Sequence, residues 1–315
     1  MAKAPRFPGA PTASWEMIQL RAQLLGKIRQ FFDSRGFTEV ETPLLSGDSV
    51  VDRHLDPIQV EVDGEQLWLQ TSPEFGMKRL LAEHPHSIYQ ITRAFRRGER
   101  GDSHNPEFTM VEWYGVGDDQ QAAINLLGEL SCDLLETQSF GRSSYRQAFE
   151  DRWSFNPHAV ELERLREIAR QAKFDRDGCL DWLWVDSIQP HLGRNEPTVV
   201  FDYPASQSAL ARLRRDDCGD VVAERFELFY RGVELANGYH ELRDANELRC
   251  RARQVNEQRA ADGKERLPED SLLLHAMDSG LPSCAGVAMG LDRVLMALTN
   301  AATIDEVIPF PFEIA

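Results

Sequence analysis

Phe95-Arg96-Arg97-Gly98-Glu99-Arg100-Gly101-Asp102-Ser103-His104-Asn105-Pro106-Glu107-Phe108-Thr109-Met110-Val111-Glu112-Trp113-Tyr114 is the stretch on which the fold turns. The chain is strand-like on either side of its centre, over Ser87 to Phe95 and again over Phe108 to Val116, with β-branched and aromatic residues in both runs. A charged, glycine-containing loop joins them, so the two are predicted to pair as a long hairpin. The loop presents arginines, a histidine and carboxylates. Arg96, near a strand end, can fork onto a phosphate. Phe108 offers a ring face on which a purine can stack.

Outward from this hairpin, the N-terminal side begins with a helix near Ser14, which can cap it, with Glu16 in its first turn. Leu20, Leu24, Ile28 and Phe31 recur at helical spacing, and Gly36 ends the run. Phe37 to Leu45 alternates apolar and polar residues. Ile58–Val62 and Leu67–Gln70 read as strands around Asp63-Gly64, a strong turn signal. Pro73 to Leu81 reads as a short helix opened by Ser72-Pro73.

On the C-terminal side, Asp118 to Thr137 is predicted helical, with Ile124, Leu127, Leu130 and Leu134 on one face. Residues 145–195 read as helix and loop, and no chemistry is assigned to them. Thr198–Tyr203 and Glu224–Leu235 are predicted strands, Asn246–Ala261 a charged helix, and Gly286–Leu298 a strand turning through Gly290 into a helix. Hairpins interspersed with helices, without a βαβ rhythm, indicate an α+β fold: an antiparallel sheet flanked by helices. No linker interrupts the pattern. The expected organisation is a flexible arm over residues 1–13 followed by one domain over 14–315.

Bulk properties narrow the function. The formal net charge of −16 argues against a chain that holds a polyanion by neutralising phosphates, and favours a cationic partner or substrate. Five scattered cysteines, with no C-x-x-C pair, argue against a disulfide scaffold and against a structural zinc site. No apolar stretch approaches the roughly 20 residues of a membrane span, and the N-terminus lacks an apolar signal region. A reducing cytoplasm is the expected location.

Two further segments complete the pattern. In Gly286-Val287-Ala288-Met289-Gly290-Leu291-Asp292-Arg293, glycines allow close approach of backbone to a ligand, and Arg293 opens the following helix. The run Glu224-Arg225-Phe226-Glu227 continues through Gly232-Val233-Glu234-Leu235-Ala236-Asn237-Gly238-Tyr239-His240-Glu241-Leu242. Its carboxylates, Glu234 and Glu241, are hard oxygen ligands of the kind that suits Mg²⁺.

In this order, Gly36–Pro43, Phe95–Tyr114 and Gly286–Arg293 resemble motifs 1, 2 and 3 of the class II aminoacyl-tRNA synthetases. The His104–Met110 run is similar to the lysine-specific enzymes. Motif 1 begins almost at the N-terminus, leaving no room for the OB-fold that binds the anticodon in lysyl-tRNA synthetases. The truncated branch that the chain resembles is the elongation factor P lysine ligases. Thr71-Ser72-Pro73-Glu74, Glu112-Trp113-Tyr114, Ala288 and Arg243-Asp244-Ala245 agree with that branch.

The resemblance implies the following roles. Arg96 and Arg293 bind ATP phosphates and are the catalytic pair. Arg97, Gly98, Glu99, Asn105, Phe108, Glu234, Leu235 and Gly290 complete the ATP site. Glu234 and Glu241 hold Mg²⁺. Ser72, Glu74, Glu112, Tyr114, Asn237, Glu241 and Ala288 hold the amino acid. The chemistry implied is adenylation of (R)-β-lysine or lysine and transfer to a lysine ε-amine of elongation factor P, in a homodimer, with tRNA not the acceptor. One departure stands out: where motif 2 commonly has Glu, this chain has Gly98, with Glu99 next door. Two other readings are a minimal lysyl-tRNA synthetase that charges tRNA and a non-catalytic regulator that keeps the fold.

Overall fold

The computed structural model describes residues 7–315. The first six residues of the expected N-terminal arm fall outside that range. Within the described part, Thr12 donates its backbone N–H to Pro309 O (2.9 Å) and its hydroxyl to Ile308 O (2.9 Å). The chain divides into two compact units. Among the described residues, one comprises 7–117, 243–283 and 288–315, and the other 118–242 and 284–287.

The first unit opens with α1 (Trp15–Asp33), whose N-cap Ser14 accepts from Met17 N–H as the sequence predicts. Leu24, Ile28, Phe31 and Phe32 are its buried side. The alternating stretch that follows forms only a two-residue strand, β1 (Thr38–Glu39), paired parallel with Ile88 and Tyr89. A small sheet comes next: β2 (Leu45–Ser46), β3 (Ile58–Val62) and β4 (Glu65–Leu69) in the order β2-β4-β3. Asp63 and Gly64, at φ 53° and 83°, make the turn between β3 and β4. Then α2 (Glu74–Glu83) leads to the hairpin of β5 (Ile88–Phe95) and β6 (Glu107–Val116). Its ladder runs unbroken from Ile88↔Tyr114 to Phe95↔Glu107. Phe32 stacks on Tyr89 (4.8 Å) and tilts against Trp113 (5.1 Å), seating α1 on this hairpin.

The second unit begins with α3 (Gln120–Leu135), capped by Asp119. β7 (Gly141–Ser144) leads into α4 (Tyr145–Trp153), α5 (Leu162–Ala169) and α6 (Arg176–Leu183). The strands are β8 (Thr198–Pro204), β9 (Leu213–Arg215), β10 (Val221–Tyr230) and β11 (Val233–His240), in the order β11-β10-β8-β7, with β9 also on β10. The β10–β8 and β10–β11 pairs are antiparallel and β7–β8 is parallel. Residues 145–195 cover this sheet. Tyr145, Phe149 and Trp184 meet Tyr203 and Phe229 in one buried aromatic core.

One strand assignment is corrected. Glu224–Leu235 is not a single strand. Arg231 and Gly232 adopt φ 52° and 77° and reverse the chain between β10 and β11. Gly232 supplies the positive φ readily, but Arg231 is a residue type that gives no turn signal.

The chain then returns to the first unit with α7 (Ala245–Ala261), capped by Asp244, and α8 (Leu272–Gly280), which the sequence pattern did not reveal. β12 (Cys284–Gly290) runs into α9 (Leu291–Thr299) at Gly290, as predicted. None of the five cysteines forms a disulfide. Among the described residues, no helix is long and apolar enough to cross a membrane.

Candidate functional site

In the first unit, the loop between β5 and β6 and the start of α9 come together. Arg293 donates from Nη2 to His104 Nε2 at 2.6 Å. Burial, and then the positive charge of Arg293, hold the His104 imidazole below the ordinary histidine range. The ring therefore stays neutral and acts as an acceptor. Arg96 stands over the Phe108 ring at 4.9 Å, donates from Nε to Thr71 O (3.3 Å), and faces Glu99 at 3.6 Å. Gly98, at φ 79°, turns the chain so that Glu99 folds back onto Arg96 rather than pointing away. Arg97 is exposed, and its backbone N–H is held by Asp56 O at 2.7 Å.

The loop is tied from the far end of the chain. Asn105 is buried. Its Oδ1 accepts from Phe312 N–H (2.9 Å), its amide donates to Glu107 O, and Ile304 N–H donates to Asp102 O (2.6 Å). Gly290 leaves space at the start of α9. A Cβ built there meets nothing nearer than Arg293, at 4.0 Å. Open room at a helix N-terminus, beside Arg293, fits the phosphates of a nucleotide.

Asp292 is a residue that the motif reading passed over. It is buried, accepts Thr109 N–H at 2.8 Å, and pairs with Arg21 of α1. Arg21 also donates to Val307 O at 3.1 Å. One carboxylate thus fastens α1, motif 2 and motif 3 to each other. Its position beside Arg293 is the only sequence signal of this.

The same unit brings together three buried residues expected to hold the amino acid, Glu74, Glu112 and Tyr114, with half-buried Ser72 beside Glu74. Glu112 and Tyr114 are two apart on β6 and share a face, and the Tyr114 hydroxyl donates to Glu112 Oε1 at 2.6 Å. Glu74, at the start of α2, is joined locally to Ser72, whose hydroxyl accepts Glu74 N–H at 3.4 Å. Lys78, one turn on, is also buried. It donates to Glu74 Oε1 at 2.5 Å and stands 5.8 Å over the Tyr114 ring. Ala288 is half-buried in β12.

In the second unit, β11 carries Glu234, Leu235, Asn237 and, just beyond its end, Glu241. The spacing of Glu234 from Asn237 and Glu241 is odd, which in a regular strand puts Glu234 on the opposite face. The register shifts at Leu228/Phe229. Leu228 pairs with Ala236 and Phe229 with Glu234, leaving Leu235 as a bulged, buried residue. The bulge returns Glu234 to the face of Asn237, Tyr239 and Glu241. Glu241 is buried, with its N–H on Cys284 O (3.0 Å). Gly238 is required by close approach: a Cβ there falls 2.6 Å from Phe226 and 2.9 Å from Gly286 O.

Under this face lies a charge network. Arg225 pairs with Glu227, which also accepts the Tyr203 hydroxyl at 2.7 Å, and the Asn237 amide donates to Tyr239 Oη at 3.0 Å. Burial pulls the Arg225 guanidinium down, but the charges of Glu227, Tyr239, Tyr203 and Glu234 outweigh it and raise it further above its ordinary range. Glu224 points elsewhere, to Arg212 (2.8 Å) and His240 (3.1 Å). Among the described residues no group of three or more His, Cys, Asp or Glu is clustered as a metal site. Two carboxylates on one face, without a third protein ligand, fit a Mg²⁺ ion that keeps water and phosphate oxygens in its shell.

Residues 11–313 match the family model described as tRNA synthetases class II (D, K and N), and the chain belongs to that family. Within it, the chain is similar to proteins named elongation factor P--(R)-beta-lysine ligase. That of Klebsiella pneumoniae subsp. pneumoniae is 42% identical over 314 residues, covering 95% of this chain and 96% of the relative. That of Edwardsiella ictaluri is 43% identical over 317 residues and that of Proteus mirabilis 42%, each covering 96% of both chains.

Proposed function

We propose that the chain activates (R)-β-lysine with ATP and transfers it to a lysine ε-amine of elongation factor P. The observation that carries this reading is the buried Glu74–Lys78–Tyr114–Glu112 group. Buried carboxylates attract an amino acid rich in ammonium groups. The names of the relatives support the identity of that amino acid and of its acceptor.

In this reading Arg96 and Arg293 bind the ATP phosphates, with Asn105, Phe108, Gly290 and the backbone of Arg97, Gly98 and Leu235 seating the nucleotide and Glu99 its adenine. His104 steers Arg293 by accepting a hydrogen bond from its guanidinium. Ser72, Glu74, Glu112, Tyr114, Asn237, Glu241 and Ala288 hold the amino acid. Glu234 and Glu241 hold Mg²⁺, which when bound neutralises phosphate charge.

The amino acid carboxylate attacks the α-phosphorus, the bond to the bridging oxygen breaks, and pyrophosphate leaves. The two arginines stabilise charge that grows on the phosphate oxygens, so the protein contributes position and electrostatics. A neutral ε-amine of the acceptor then attacks the mixed anhydride. An amide forms, AMP leaves, and the amine gives up a proton.

ATP–pyrophosphate exchange with α-lysine and (R)-β-lysine side by side tests the first half-reaction. Addition of elongation factor P or bulk tRNA tests the second. The reading requires exchange that favours (R)-β-lysine and label that ends on the protein; label on tRNA overturns it. We further propose a homodimer through α1 and β1, in line with the motif 1 resemblance, to be checked by sedimentation equilibrium.

A further inference from the structure

We infer that Lys78 sets the amino-acid preference of the pocket by fixing its charge. The inference rests on the proposed reading of Glu74 and Glu112 as substrate-binding residues. Lys78, Glu112 and Tyr114 are each 2% exposed, and Glu74 is 9% exposed. Burying a lysine ammonium is costly, and it is tolerated here beside the Glu74 carboxylate, 2.5 Å away. Its place one turn along α2 from Glu74 points both side chains to the same side of the helix.

The consequence is electrostatic. Within the first unit, Glu74, Glu112 and Lys78 together carry one formal negative charge, where the two carboxylates alone would carry two. Lys78 therefore removes one unit of negative charge from the pocket, whatever Glu241 adds to it. A diamino acid, with two ammonium groups and one carboxylate, has a net charge of one, whereas a diamine without the carboxylate has two, so the charge that Lys78 cancels weakens the hold on the diamine more than on the amino acid. Lys78 also occupies Glu74 Oε1, which directs an incoming ammonium to the other carboxylate oxygen. Lys78 is therefore a positioning and specificity residue that acts through Glu74 and makes no bond in the reaction.

The experiment uses the full chain and pyrophosphate exchange with (R)-β-lysine, with 1,5-diaminopentane as competing inhibitor. Lys78→Met and Lys78→Gln remove the charge while keeping a stem of similar length. Lys78→Arg keeps the charge. The readout is the inhibition constant of the diamine divided by the KM of the amino acid, with the KM of ATP as control. Both neutral variants are expected to lower that ratio by about tenfold or more, and Lys78→Arg to leave it at the wild-type value. Equal weakening of diamine and amino acid in the neutral variants, or a ratio that moves with Lys78→Arg as well, overturns the inference and leaves Lys78 a packing strut. If one neutral variant fails to fold, the other reads the same ratio. Absence of exchange by the wild-type chain with any lysine-type amino acid is a separate result: it removes the reading of the site before any variant is compared.

Discussion

The hairpins β5–β6 and β10–β11 present functional side chains by opposite means. β5–β6 is a regular ladder with no register shift, so Phe108, Glu112 and Tyr114, spaced by even numbers, share a face. β10–β11 is broken by one bulged residue, Leu235, and only that break puts Glu234 on the face of Asn237 and Glu241. A regular strand delivers any even-spaced set. A bulge is needed for an odd one, and once present it lets two carboxylates approach from different pitches along one strand. The regular hairpin is therefore legible from spacing alone, and the bulged one is not.

Substitutions can break this comparison at either end. Arg96→Ala, at the end of the regular ladder, should lower pyrophosphate exchange by about a thousandfold while the urea midpoint stays close to wild type. Normal exchange would remove Arg96 from the chemistry. Glu241→Gln, on the bulged side, is expected to cost about a hundredfold and to raise the magnesium concentration needed for half-maximal rate. An unchanged magnesium dependence would mean that the bulge does not serve a metal.

Asp292→Asn sharpens the comparison, because this carboxylate fixes the regular hairpin through Thr109 N–H and pairs with Arg21. Leaving Arg21 without its buried counter-charge should cost about 3 kcal/mol in urea unfolding at neutral pH. A loss within about 0.5 kcal/mol, as for an ordinary surface change, would count against the brace.

The smallest effect expected is the pH dependence of His104. Its folded value is lowered, so between that value and the ordinary one the unfolded chain binds a proton that the folded chain does not. The stabilising contribution is complete above about pH 6.5 and is lost as pH falls through the lowered folded value. His104→Gln should flatten that segment of the urea midpoint against pH, and an unaltered slope would place the titration elsewhere.

Much of the fold could be read from the chain because its punctuation is local. Ser14, Asp119 and Asp244 cap helices, and Asp63-Gly64 turns a hairpin, each by chemistry confined to a few residues. The turn at Arg231-Gly232 was hidden because an arginine was forced into positive φ by the strands on either side. The helices between 145 and 195 follow from a core that sequence separates widely, with Tyr145 and Trp184 meeting Phe229 only in three dimensions. For the site, motif order exposed Arg96 and Arg293. Lys78 and Asp292 stayed hidden because their meaning is depth: a lysine in sequence is assumed to face water, and only burial turns it into a counter-ion.

The bonds from Ile304 to Asp102 and from Phe312 to Asn105 have a consequence in time. Synthesis runs from the N-terminus, and these partners are about 200 residues apart in the chain. The loop that carries Arg96 and His104 is made early, yet its last restraints arrive with the final stretch of polypeptide. A nascent chain can assemble the hairpin long before it can hold the loop. Competence to bind nucleotide should therefore appear late and abruptly, as the tail leaves the ribosome, so that incomplete chains are kept from consuming ATP.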